Sequence, residues 1–215
     1  MKRNRVNPKA FCRKRCLDFI TIFVFLSNLL KSSLQTELDN LFKVLFHKEL
    51  PVHAVSKSAF SQARHKFKHQ AFIELNAEQV EYFYSHFSYK KWEGYRLVAI
   101  DGSTCRLPNS DKLVDEFGIA DTSETGVPII LARLSQAYDM FNHIVIDSKL
   151  SSYHTSEHEL ALGHISSLQE GDLVLLDRNY ASFWLFALLI SKGVSFCARL
   201  KVGSWKVAKN LVVSG

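Results

Sequence analysis

Two short apolar runs, Leu97-Val-Ala-Ile100 and Leu173-Val-Leu-Leu176, decide how the chain folds, and each is followed at once by an aspartate, Asp101 and Asp177. Four consecutive apolar residues suit a strand covered on both faces better than a half-exposed edge, so both runs read as central strands of one sheet. Working outward, Ile129 to Tyr138 and His143 to Lys149 read as a hairpin turning at Asp139-Met-Phe-Asn142. Ser156 to Leu168 and Leu185 to Ser191 read as helices, and Val194 to Leu200 reads as a last strand. A right-handed crossover through the first of these helices makes the two apolar runs parallel neighbours. Their ends then lie about 5 Å apart.

The 215 residues are 47% hydrophobic and 22% charged, which excludes disordered, collagen-like and coiled-coil classes. The length accommodates two domains, with a helical one over residues 1–90 and an α/β core over 91–215. Charge divides the same way. Residues 1–100 hold 17 Lys and Arg against 8 Asp and Glu, whereas the remainder holds 10 against 13. A net charge of +6 favours a polyanionic partner. Cys12, Cys16, Cys105 and Cys197 form no CxxC pair, so they read as reduced thiols of a cytoplasmic protein. The apolar stretch Phe19 to Leu26 follows basic residues as in a signal peptide. It is shorter than the ~20 residues of a membrane span and lacks a small-residue cleavage site, so a buried helix fits better and no membrane partner is expected.

From Phe11 to about Phe87 apolar residues recur at helical spacing, as in Leu34, Leu38, Leu41, Phe42 and Leu45. The phenylalanines at 19, 23, 42, 46, 60 and 67 read as core rather than as a platform for stacked bases. Pro51 breaks the pattern, and Ser56 or Ser58 caps a short helix that leads to another near Phe72. Lys57, Arg64 and Lys66 lie on or beside that short helix. Two readings stay open: a helix-turn-helix-like DNA reader, and a solvated basic face on a helical bundle.

A carboxylate at the end of a buried strand needs its charge compensated, and two of them side by side suit one hard cation. Oxygen-only coordination by carboxylates and water is what Mg²⁺ prefers, with Mn²⁺ an equivalent. Metal ions held this way activate a water and stabilise a leaving phosphate oxygen, which implies phosphoryl transfer on nucleic acid.

The motifs Asp101-Gly-Ser-Thr104, Gly171-Asp-Leu-Val-Leu-Leu-Asp177-Arg-Asn-Tyr180 and Phe196-Cys-Ala-Arg-Leu-Lys201, in that order, resemble DDE transposases of the insertion-sequence-four type. Ser58-Ala-Phe-Ser-Gln-Ala-Arg64 is similar to the helical N-terminal part of that family, so the resemblance spans most of the chain. It implies a ribonuclease-H-like mixed sheet with Asp101 and Asp177 as the first two metal ligands, and double-stranded DNA at transposon ends as substrate. It also implies a second transposase subunit as partner. Arg178, Arg199 and Lys201 would lie along the DNA, although Arg178 also reads as an ion-pair partner of Asp177. Asn179 stands where the family has glycine, and it is expected to keep a turn with positive φ.

The family's third acid, a glutamate in a motif with Tyr, Arg and Lys, follows the second aspartate at a distance. No Asp or Glu occurs after Asp177 here, and Lys206 to Gly215 reads as the opening of the β-rich insertion that precedes that motif. The expectation is a truncated transposase that does not cut or join DNA alone. Two alternatives accompany it: a non-catalytic DNA-binding inhibitor of a full-length transposase, and a ribonuclease-H-like nuclease that takes its third acid from Glu157 or Glu159. His154-Thr-Ser-Glu-His158 also matches an inverted zinc-peptidase motif, but no acid follows at the position of its remaining ligand.

Overall fold

Side-chain caps set the helix starts in the computed structural model, which describes residues 2–13, 15–28, 31–201 and 205. The Asp18 carboxylate accepts the Thr21 N–H and opens α1, Phe19–Ser27, while Ser33 accepts from Thr36 and opens α2, Leu34–Leu45. Ser56, not Ser58, caps α3, Lys57–Arg64, by accepting the Ala59 N–H. Each cap satisfies a donor that the first helical turn leaves without a partner. The chain forms two compact units that part inside α4, Gln70–His86, between Leu75 and Asn76.

The first unit packs α1, α2 and α3 around Ile22, Phe25, Leu38 and Phe60, each at most 2% exposed. Phe19 and Phe42 are buried too, whereas Phe23 and Phe67 are half-buried. Phe46 is exposed, contrary to the core reading, because α2 ends at Leu45 and the turn after it leaves that face. The tail of Lys206 to Gly215 read as an insertion lies outside the described residues.

The second unit is a six-stranded mixed sheet. Its strands are β1, Arg96–Leu107; β2, Asp121–Thr122; β3, Pro128–Asp139; β4, Ile144–Ser152; β5, Asp172–Leu176; and β6, Ser195–Ala198. Helices α5, Asp111–Phe117, α6, Glu157–Gly163, and α7, Phe183–Ser191, join them. β1 pairs antiparallel with β3, β3 pairs with both β2 and β4, and β1, β5 and β6 run parallel. The expected hairpin, crossover and parallel neighbours are therefore present. Two expectations need correction. β1 does not end at Asp101 but continues to Leu107, paired with β3 alone after β5 stops. The strands are also not covered equally: Val98, Ile100, Val174 and Leu176 are buried, while Leu97, Ala99, Leu173 and Leu175 are only half-buried.

An ion pair locks the register at the opposite end from the aspartates. Arg96 Nε and Nη2 donate to the two oxygens of Asp172, each at 2.7 Å, and the side chains are 4% and 0% exposed. The Tyr84 ring lies against the Arg96 guanidinium, and its hydroxyl donates to the buried Asp139 carboxylate at 2.6 Å. Burial, and then the Asp139 charge, push the Tyr84 hydroxyl pKa well above the usual tyrosine value, so it stays a donor. The C-terminal part of α4 is thereby tied to the sheet, with Val80 packed on the same core. Helix α6 ends at Gly163, short of Leu168, where buried His164 turns inward to bridge Asp147 at 2.8 Å and Ser135 at 3.0 Å.

Candidate functional site

The parallel register pairs Arg96 with Asp172 and, four residues on, Ile100 with Leu176. Asp101 and Asp177 are the next residues on each strand, so they stand side by side at one sheet end, about one strand spacing of 4.8 Å apart. Both are exposed. One oxygen of each is used locally: Asp101 Oδ1 accepts the Gly102 N–H at 2.8 Å, and Asp177 Oδ1 accepts the Asn179 N–H at 3.1 Å. The second bond caps a 3-10 turn over Arg178–Tyr180. Asn179 thus has the negative φ of a helical turn, not the positive φ expected of a glycine replacement, because the Asp177 cap supplies the turn.

Tyr180 closes this turn with its ring in the sheet core, 1% exposed, and its hydroxyl has no hydrogen-bond partner among the described residues. Burial raises that hydroxyl to a pKa of about 12, helped by the charges of Glu157, Asp101 and Asp177 and opposed by Arg133. Gly102 provides the space. A Cβ there would sit 3.2 Å from the Tyr180 oxygen, 3.5 Å from the Leu134 carbonyl and 3.9 Å from Glu157 Cγ. Glu157 is the first residue of α6, where Ser156 caps the helix by accepting the Glu159 N–H at 3.1 Å. Of the two glutamates considered from sequence, Glu157 approaches Gly102 through its Cγ, and Glu159 is exposed.

Asp101 and Asp177 each keep one carboxylate oxygen outside these turn bonds, and carboxylate oxygens are what a hard cation takes. Among the described residues no three His, Cys, Asp or Glu side chains come close enough together to hold a metal ion directly. The zinc-peptidase arrangement is not formed. α6 starts at Glu157, so His154 is off the helix and its Nε2 faces the Ile119 carbonyl at 3.1 Å.

Arg178 is exposed and makes no ion pair with Asp177 among the described residues. Arg199 follows β6, its N–H bonded to the Leu176 carbonyl at 3.1 Å, which places its backbone beside the end of β5. Its side chain and Lys201 are exposed. Lys57, Arg64 and Lys66 belong to the other compact unit, where all three are exposed. Lys57 and Arg64 are the first and last residues of α3, and Lys66 follows it. The two short helices read from the sequence are α3 and α4, which residues 65–69 connect. No described helix is long and apolar enough to cross a membrane.

No family model matches the sequence. The chain is 26% identical over 157 residues to the putative transposase InsZ of Escherichia coli (strain K12), covering 67% of this chain and 49% of that protein. It is 24% identical over 133 residues to the transposase InsG for insertion sequence element IS4 of the same organism, covering 61% and 30%. The chain thus spans about half or less of the curated relatives it matches. Among solved structures it is similar to the Mos1 transposase paired-end complex with left transposon end, at 12% identity and a TM-score of 0.33, covering 87% of this chain and 73% of that one. A Mos1 mariner paired-end complex with Mn matches at 13% identity and a TM-score of 0.32, covering 87% and 72%. Both sequence relatives are named as transposases.

Proposed function

We propose that the chain carries the metal-binding centre of a DDE-type transposase with a ribonuclease-H-like core, and that it binds the DNA of transposon ends. The observation that carries the proposal is the parallel register that sets Asp101 beside Asp177 at the end of the two central strands. Each aspartate keeps one oxygen for its own turn and offers the other to a divalent cation, Mg²⁺ or Mn²⁺. Such a cation, when bound, supplies Lewis-acid activation of a water and of the phosphodiester it attacks. Exposed Arg178 and Arg199, which follow the ends of β5 and β6, and exposed Lys201 beyond them would contact phosphates, the sequence-independent part of DNA affinity.

The strand register brings two carboxylates to this sheet end, while Glu157 belongs to α6. The purified chain is therefore expected to bind DNA and a cation without cutting. Nicking of supercoiled DNA in magnesium is the test. Robust nicking that is lost in Asp101→Ala would contradict the inactive reading and favour a nuclease using Glu157, the one further acid that approaches the site.

The basic residues of the helical unit give a separate prediction. A Lys57, Arg64, Lys66 triple alanine variant should bind terminal-repeat duplex more weakly, with the slope of log affinity against log salt reduced by about 0.9 for each phosphate that is no longer neutralised. Filter retention across a salt series reads both quantities. An unchanged slope would assign these residues to a solvated face.

A further inference from the structure

The helical unit carries a cavity of about 870 Å³, within the size range of small-ligand sites. It lies between the N-terminal segment and one side of α3. Hydrogen bonds pin that segment in place. The Val6 N–H donates to the Lys66 carbonyl at 3.0 Å, and the Lys68 N–H donates to the Asn4 carbonyl at 2.9 Å. The Arg3 and Asn4 side chains donate to the Glu74 carboxylate at 2.9 and 2.7 Å. Ala59 and Ala63 of α3, with Val55 before it, form an apolar wall, and half-buried Phe11 and Leu17 extend from the helical core to line the cavity as well. Phe11 holds a φ of 55°, rare for a bulky side chain, with its ring edge-on to Phe19 at 5.8 Å.

Lys9, Arg13, Arg15 and Lys66 line the same cavity, and its described lining residues include no Asp or Glu. All four cations are exposed, and none makes an ion pair among the described residues. Like charges around one concavity repel one another, so an anion between them is favoured. A bare phosphate would use the charges and leave the apolar wall uncovered. A nucleotide uses both, with its phosphate on the cations and its base against apolar and aromatic groups. Asn7 and Gln62, also in the lining, carry side-chain amides of the kind that bond base edges.

We propose that this cavity binds an unpaired nucleotide, either free or standing out of a DNA strand. The inference rests on the DNA-binding reading above and gives the helical unit a contact to a base besides its contacts to phosphates.

The test measures fluorescence anisotropy of a dye-labelled, short single-stranded thymidine oligonucleotide with the full chain in chelator, so that no metal takes part. The competitors are thymidine monophosphate, an abasic strand of equal length, and a glutamate peptide of equal charge. The parent chain should bind the oligonucleotide, and the abasic strand should compete about tenfold less well, because the stacked base is missing. Ala59→Phe, which fills the cavity and keeps every charge, should weaken binding by about tenfold at an unchanged melting temperature. Arg13→Ala with Arg15→Ala, which leaves α3 intact, should weaken it at least as much, whereas Lys43→Ala with Lys48→Ala, outside the cavity, should not. Competition by the monophosphate as strong as that of the strand identifies a free nucleotide; a strong preference for the strand identifies DNA. The proposal is overturned if the abasic strand or the glutamate peptide competes as well as the oligonucleotide, or if both cavity variants bind like the parent. A parent chain that retains terminal-repeat duplex but neither the oligonucleotide nor the monophosphate overturns the cavity assignment alone. Retention of none of them overturns the DNA-binding reading too.

Discussion

Asp172→Ala is expected to destabilise the sheet unit by about 3–5 kcal/mol, seen as a lower urea midpoint. The cost comes from what is left behind. Arg96 is 4% exposed and gives two of its donors to Asp172, so removing the carboxylate strands a buried cation with only the Tyr84 ring against it. The Gln169 N–H loses its acceptor as well. Replacing both partners with apolar residues of similar size, Arg96→Met with Asp172→Leu, should recover most of the loss, since a well-packed apolar pair often matches a buried ion pair. If the double variant were as unstable as the single one, the pair would be contributing strand register rather than merely avoiding an unpaired charge.

Phe60→Ala should cost the helical unit a comparable amount, about 3–5 kcal/mol, by opening a cavity among Ile22, Phe25 and Leu38. Phe60 is 1% exposed and meets Phe25 edge-on with ring centroids 4.6 Å apart, so the change removes an aromatic pair as well as buried area. Val44→Ala is the matching control. That side chain is 69% exposed on α2, and its truncation should move stability by no more than about 0.5 kcal/mol. A mild Phe60→Ala would mean that the unit repacks around the gap.

The centre of the sheet was legible because its signal is local. Two four-residue apolar runs, each closed by aspartate, announce two central strands, and pairing them in register brings Asp101 and Asp177 together. The same pairing sets Arg96 opposite Asp172, a buried ion pair that sequence reading passed over although the two residues stand immediately before the two runs. The second half of β1 was missed because Gly102 to Arg106 pair with β3 on one side only and carry no apolar run. Phe46 looked like core because the helical spacing continues into it. Helix termination, which decides its exposure, depends on the turn that follows and not on spacing. Tyr180 gave no sign of its burial, because only the three-dimensional fold brings its hydroxyl against Gly102.

Isothermal titration of the purified chain with Mn²⁺, set beside Asp101→Asn, Asp177→Asn and the double variant, reads the central claim directly. One shared site predicts saturable binding in the parent chain and a large loss in either single variant. It also predicts little further loss in the double, because two ligands of one ion act as a unit. Losses that simply add, or single variants that bind as the parent does, would mean that the two aspartates do not hold a common cation.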